Sequence, residues 1–265
     1  MSGARFSKLV FLFVLAGCVL LQAFAPVPGR AAQPAGPLRA AVSGPYPPFA
    51  ELDENGKVYG FDVDIAEALC RELGRECEVA NLDFDDLIPA LRENKIDFIV
   101  AGMGASPERL EQVDFTERYY RSVSIFVERK GTFSEFTPET VKGRRVGAQT
   151  ATLQADYLTK TYGSEITLVT APSYEEVFEM LSKGEIDLVL SDGLPGYSYL
   201  TSEQGQDLET IGPAVETGNL IDYACIAVRK GDNELRLGIN EAIQSLRRSG
   251  AYDKINRKYF DFIIY

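Results

Sequence analysis

Residues 84–101 and 174–191 carry one pattern written twice. The first copy runs Phe84-Asp85-Asp86-Leu87-Ile88, then Leu91, then Ile96-Asp97-Phe98-Ile99-Val100. The second runs Tyr174-Glu175-Glu176-Val177-Phe178, then Leu181, then Ile186-Asp187-Leu188-Val189-Leu190. Every pair is 90 residues apart, with no gap. Each copy is an aromatic residue, two acids, a short amphipathic helix and a buried strand. An α/β unit that occurs once in each half predicts two similar lobes, and two lobes predict a cleft. In open α/β sheets ligands sit outside the carboxyl ends of strands. Those ends are Ala101-Gly102-Met103-Gly104 in one copy and Ser191-Asp192 in the other. The alternative is a chance match between two common helix–strand units.

The rest of the chain continues the alternation. Strands are predicted at 38–42, 76–80, 122–127, 145–148, 166–169 and 223–228, and helices at 63–73, 151–162, 233–248 and 252–259. Asn55-Gly56 is a hairpin turn signal, and Gly74 stops the helix before it. Residues 131–140 are expected to be a loop, and 193–199 a short stretch interrupted by Gly and Pro. The fold class is therefore α/β, and 265 residues suit two lobes better than one core.

Composition narrows the function. The formal charge is −12, and the cations Arg5, Lys8 and Arg30 precede the first acid, Glu51. Removing residues 1–32 takes the charge to −15. Such a surface repels nucleic acid and anionic lipid. The chain has no His, which removes Ser-His-Asp chemistry and most zinc sites; no metal and no cofactor are expected. Arg5 and Lys8 followed by the apolar stretch 9–24 form an export signal, too short and wrongly flanked for a membrane span. Leu15-Ala16-Gly17-Cys18 resembles the lipobox of bacterial lipoproteins, although Val19-Leu20-Leu21 continues the apolar run where a polar tether belongs. Cleavage after Ala31 or Ala32 is the other reading. The protein is expected in the periplasm or cell envelope, soluble or lipid-anchored through Cys18. That compartment permits a disulfide between Cys70 and Cys77, stabilising by ~2.5 kcal/mol on chain-entropy grounds; two reduced, buried thiols are the alternative. Cys225 lies in an apolar run and is expected in the core.

Several residues look chemical. Ser106-Pro107 reads as an N-cap followed by proline at the first helical position. Arg109 then falls in the first turn, where the helix dipole disfavours a cation. A guanidinium grips a carboxylate with paired hydrogen bonds, so Arg109 is either an anion anchor or a surface ion pair with Glu111 or Asp114. Asp192 ends the second buried strand and is either an ammonium acceptor or a helix N-cap. Tyr46 and Phe84 each follow a strand and are either ligand-flanking or core aromatics. Thr152 is placed to cap a helix and to meet a carboxylate oxygen. Gly102 and Gly104 allow close backbone approach. Arg and helix amides opposite an Asp complement a zwitterion, of which an α-amino acid is the simplest.

With these motifs the chain resembles the extracytoplasmic solute-binding proteins of ABC importers, family 3, the polar amino acid binders. The resemblance covers about residues 38–262. It rests on Tyr46-Pro47-Pro48-Phe49, Gly60-Phe61-Asp62-Val63-Asp64, Asp83-Phe84-Asp85-Asp86-Leu87-Ile88-Pro89, Ala101-Gly102-Met103, Ser106-Pro107-Glu108-Arg109, Val113-Asp114-Phe115-Thr116 and Tyr252-Asp253-Lys254. It implies two lobes joined by two hinge strands, near 121–124 and 222–224, with the ligand in the inter-lobe cleft. Residues 1–32 would be the signal peptide, 33–121 plus 224–265 a discontinuous first lobe, and 122–223 the second. Arg109 corresponds to the family's carboxylate-binding Arg and Asp192 to its ammonium-binding Asp. Tyr46 and Phe84 match the aromatic pair around the side chain. Ser43, Ala101, Gly102, Met103, Gly104, Thr152 and Leu153 fall on the remaining contact positions. The spacing of Cys70 and Cys77 matches the disulfide of the lysine/arginine/ornithine and histidine binders. Ser43 stands where those binders carry an Asp for the distal cation, Ala101 and Gly104 replace hydroxyl residues, and Leu153 replaces a common Thr. These departures weaken a basic ligand and keep glutamine-like ligands and cystine in view.

The expected function is capture of a free polar amino acid and delivery to a membrane permease, by a monomer that is not an enzyme. The alternative is a cyclohexadienyl dehydratase-like enzyme on the same scaffold, which needs a general acid in the cleft; Glu51 and Glu216 are the candidates. A sensor input module ranks lower, because no further domain follows Tyr265 in this sequence.

Overall fold

A computed structural model of the chain describes residues 36–215 and 223–265. Residues 1–35, with the expected export signal and Cys18, and Glu216 through Asp222, including that part of the expected second hinge, lie outside the described residues.

The first lobe begins with β1 (Leu38–Val42), a small hairpin of β2 (Glu51–Leu52) and β3 (Val58–Tyr59), α1 (Phe61–Glu72) and β4 (Cys77–Asn81). It continues through α2 (Leu87–Arg92), β5 (Phe98–Ile99), α3 (Pro107–Leu110) and β6 (Val113–Arg121). The second lobe holds β7 (Ser124–Arg129), α4 (Pro138–Val141), β8 (Arg145–Gln149), α5 (Leu153–Tyr162), β9 (Thr167–Ala171), α6 (Tyr174–Ser182), β10 (Leu188–Asp192), α7 (Gly193–Thr201) and β11 (Leu208–Val215). The chain then returns to the first sheet as β12 (Tyr223–Arg229) and ends in α8 (Asn233–Arg248) and α9 (Ala251–Asn256).

The two sheets have one topology. The first runs β4-β1-β5-β12-β6, with β4, β1 and β5 parallel and β12 antiparallel to β5. The second, from its parallel edge, runs β9-β8-β10-β7-β11, with β9, β8 and β10 parallel and β7 antiparallel to β10. The sequence repeat is thus the third strand of each sheet with the helix before it. Helices cover both faces of each sheet. In β1, Ala40 and Val42 face a core shared with α1 and α8, while Ala41 faces α2. In the second sheet, Val127 and Val189 pack under α6 while Val146 and Leu188 pack under α5. Strands buried on both faces must be apolar throughout, which is why the repeat strands carry no alternation.

A side-chain clasp is duplicated with the fold. Asp97, just before β5, accepts from the Arg39 backbone N at 3.0 Å and from its Nε and Nη2 at 3.1 and 2.9 Å. Asp187, just before β10, accepts the same three donors of Arg145 at 2.9, 3.2 and 2.6 Å. A further arginine on the antiparallel neighbour, Arg229 or Arg129, donates to the carbonyl of Ile96 or Ile186 at 2.7 and 2.8 Å.

Five elements differ from the sequence-based expectation. β6 and β11 were not anticipated; both are edge strands, so charges at Asp114, Glu117 and Arg118, and Gly212-Pro213, break the apolar pattern. α7 is a continuous helix, because Pro195 falls in its first turn, where a missing N–H costs little. α4 interrupts the 131–140 loop, started by the Thr137–Thr140 capping box. α1 starts at Phe61, two residues early. Cys70 and Cys77 are joined by a disulfide, tying the end of α1 to the start of β4. Cys225 is buried.

Candidate functional site

Between the two sheets lies a cavity of about 90 Å³, lined from both lobes. Matching positions of the duplicated fold build it. The first strands end in Ser43 and Gln149, the repeat helices are preceded by Asp83 and Ser173, and the third strands lead to Ala101-Gly102 and to Asp192; all of these line the cavity. This is the carboxyl end of both sheets, where open α/β folds place ligands.

Arg109 reaches the cavity because α3 starts where its cap signal says. Ser106 Oγ accepts from the Arg109 backbone N at 3.2 Å, with Pro107 in the first turn. The guanidinium is buried. Its Nη1 donates to the Gly104 carbonyl at 2.7 Å and its Nη2 to the Ala151 carbonyl of the other lobe at 2.8 Å. It lies 5.6 Å from the Phe84 ring centroid. Burial lowers its pKa to about 10, so it stays charged at neutral pH, and it keeps further N–H donors for a carboxylate. Asp114 is occupied by Lys230 at 2.8 Å, so it is not a surface partner of Arg109. Ala151 is a non-glycine residue at φ 58°, a backbone that costs roughly 1 kcal/mol and that turns its carbonyl to Arg109.

Asp192 both caps a helix and lies on the cavity lining. It caps α7, its Oδ1 accepting from Leu194 N at 3.1 Å and from the Ser122 hydroxyl, and the same residue lines the cavity. Burial raises its pKa to about 6, against the pull of those two hydrogen bonds. Thr152 caps α5, accepting from Ala155 N at 3.3 Å, and its hydroxyl donates to the Gln149 carbonyl at 2.7 Å. Leu153, the first residue of that helix, also lines the cavity.

Tyr46 lines the cavity and packs against the cores of both lobes. Its ring centroid is 5.4 Å from that of Tyr174, at 78° between planes. Phe84 lines the cavity and packs on the core beneath α2. The two aromatic residues of the repeat therefore serve different ends: Phe84 meets Arg109, and Tyr174 meets Tyr46.

The 101–104 segment corrects part of the sequence reading. Gly102 sits at φ 60°, and a Cβ there would come within 2.5 Å of Tyr120 Oη. Its N–H donates to Tyr119 Oη at 2.8 Å, away from the cavity. Tyr119 in turn donates to Asp62 at 2.8 Å, and full burial pushes the Asp62 carboxyl well above the usual carboxylate range. The Gly104 carbonyl is taken by Arg109. Met103 does not line the cavity. Its side chain is buried in the core with Leu87 and Leu91, and its carbonyl accepts from Cys225 N at 2.9 Å. Glu51 does not line it either; it accepts from Tyr59 on the β2–β3 hairpin at 3.2 Å. Glu216 is outside the described residues.

Sequence reasoning missed Asp83, Gln149, Gln154 and Ser173, which line the cavity. Extending the repeat one residue upstream would have found Asp83 and Ser173.

A model of the bacterial extracellular solute-binding proteins, family 3, matches residues 38–262. The chain is 34% identical over 224 residues to the putative ABC transporter arginine-binding protein 2 of Escherichia coli K12, covering 84% of this chain and 90% of that protein. It is 31% identical over 260 residues to the histidine-binding periplasmic protein of the same strain, covering 95% of each. Its fold matches an ancestral arginine-binding protein bound to arginine with a TM-score of 0.80 at 34% identity, covering 86% of this chain and 100% of that one. No helix among the described residues is long and apolar enough to cross a membrane.

Proposed function

The chain belongs to the bacterial extracellular solute-binding proteins, family 3, and on that premise we propose that it captures a free polar amino acid in its inter-lobe cleft and delivers it to an ABC-importer permease. One observation carries the ligand class. A buried guanidinium and a half-buried carboxylate line the same cavity, each with hydrogen-bonding capacity to spare. Each charge is costly in isolation and is compensated by an opposite charge. A molecule with a carboxylate at one end and an ammonium at the other compensates both at once.

The residues with ligand roles in this reading are Arg109 for the carboxylate, Asp192 for the ammonium, and Tyr46 and Phe84 for the side chain. Ser43, Ala101, Thr152 and Leu153 shape the wall. Lobe 1 is taken as 33–121 plus 224–265 and lobe 2 as 122–223, so that closure brings Asp192 to Arg109. The chain acts outside the inner membrane as a binder rather than a catalyst. Glu51, one of the two candidate general acids of the dehydratase alternative, is held on the hairpin and does not line the cavity. The test is calorimetric titration of residues 33–265, stripped of ligand by refolding, against the proteinogenic amino acids. At least one polar amino acid should bind. Arg109→Ala should weaken it by about 10²- to 10³-fold with the far-UV circular dichroism retained. Unchanged affinity in that variant would remove Arg109 from the site.

A further inference from the structure

Among the described residues, the side chains lining the cavity that are charged at neutral pH are Arg109, Asp192 and Asp83. A zwitterion neutralises the first two. Asp83 is then left over, and a cavity with one surplus carboxylate is complementary to a ligand with one surplus cation.

The duplicated fold shows that Asp83 is not simply a helix cap. Its counterpart in the other lobe, Ser173, precedes α6 and spends its hydroxyl on the helix, accepting from Glu176 N at 3.2 Å. Asp83 stands at the same position before the 3-10 turn Phe84–Asp86 and makes no side-chain cap hydrogen bond. Its carboxylate has neither an ion-pair nor a hydrogen-bond partner among the described residues. It is exposed at the cavity rim, next to Phe84. The loop beside it is fixed: Asn81 Oδ1 accepts from Gly44 N at 2.7 Å and Asn81 Nδ2 donates to the Gly44 carbonyl at 3.0 Å. Because Val42 pairs with Asn81, Ser43 and Asp83 lie at adjoining strand ends and bound the same side of the cavity. Phe84, next in the chain, lines the same cavity, and its ring centroid lies 5.6 Å from the Arg109 guanidinium.

We propose that Asp83 is the selectivity residue of the cleft, reading a second positive charge at the far end of the ligand, so that the chain takes a dibasic amino acid in preference to a neutral one of equal length. This rests on the zwitterion reading of the cavity. The discriminating pair is L-arginine and L-citrulline, which share length and a planar head; citrulline has a neutral carbonyl oxygen in place of one guanidinium nitrogen and so lacks the distal charge. Titrated at low ionic strength, where an exposed carboxylate is least screened, the native chain should bind arginine about tenfold or more tighter. In D83N the ratio of the two affinities should fall toward one. Asn also suits a cap position, and circular dichroism verifies the fold. Equal affinity of the native chain for both ligands, or an undiminished preference in D83N, overturns the proposal and leaves the zwitterion reading standing. Failure of both ligands to bind the native chain, with neutral amino acids binding, also overturns it. Failure of every amino acid to bind overturns both.

Discussion

At the scale of single residues, the site pairs two groups that burial pushes toward neutrality. Arg109 is far enough from its limit to stay charged, whereas Asp192, near pH 6, is not. The sign of the consequence follows from linkage. An ammonium ligand needs ionised Asp192, so affinity should be level above about pH 7 and fall roughly tenfold per unit below about pH 6. At pH 6 binding should release about half a proton, visible as a dependence of the calorimetric enthalpy on buffer ionisation. The ligand-free protein behaves oppositely: a raised folded-state pKa means that this group's contribution to stability declines as pH rises from about 4 to 6. Level affinity from pH 5 to 8 would show that Asp192 does not meet the ammonium. The residue-level readings of Arg109, Thr152 and Asp192 came from helix-start chemistry, which is local and visible in sequence. Gly102 lines the cavity as expected, whereas Met103 was misjudged because the direction of a side chain after a strand depends on Leu87 and Leu91, remote in sequence.

At the scale of elements, the lobes are one design used twice, down to the arginine–aspartate clasp before the third strand. Burial alone would raise the Asp97 pKa, but the hydrogen bonds from Arg39 and the charges of Arg39 and Arg229 hold it below the usual carboxylate range. The hydrogen bonds from Arg145, opposed by burial, do the same for Asp187. A depressed folded-state pKa stabilises above the unfolded value, near 3.9 for Asp, and that contribution is lost as pH falls below about 4. Asp97→Asn and Asp187→Asn should each lower the urea midpoint at pH 7 and differ progressively less from the native chain as pH falls below about 4. Asp97→Asn should cost more, since Asp97 also holds Arg229 at 3.2 Å. Equal midpoints at pH 7 would demote the clasp to a surface ion pair. The apolar half of the repeat was plain in sequence. The clasp was not, because Arg39 and Arg145 lie outside the copied segments.

At the scale of the whole molecule, contacts between the lobes among the described residues include Arg109 with the Ala151 carbonyl, Lys160 with Glu108 at 3.2 Å, and Tyr46 with Tyr174. Closure trades the solvation of two lobe faces for such contacts plus those of the ligand. The Lys160–Glu108 pair lies outside the cavity, so it favours closure without touching the ligand. Lys160→Glu places like charges across the cleft and should weaken every ligand by the same factor, with a larger radius of gyration by small-angle scattering at partial saturation. Asp83→Asn, by contrast, should change selectivity. If Lys160→Glu altered arginine and citrulline affinities unequally, the pair would belong to ligand recognition.

The sequence by itself determined the lobe architecture, the buried strands, the disulfide spacing and the position of Arg109 at a helix start. Each follows from rules that act over a few residues: periodicity, capping and turn chemistry. The tertiary structure alone decided which carbonyls Arg109 spends its donors on, that β6 and β11 lie at sheet edges, that Met103 turns into the core, and that Asp83 and Ser173 come to line one cavity. Those outcomes depend on pairings between residues far apart in the chain. Long-range packing sets them, and no local preference records its result.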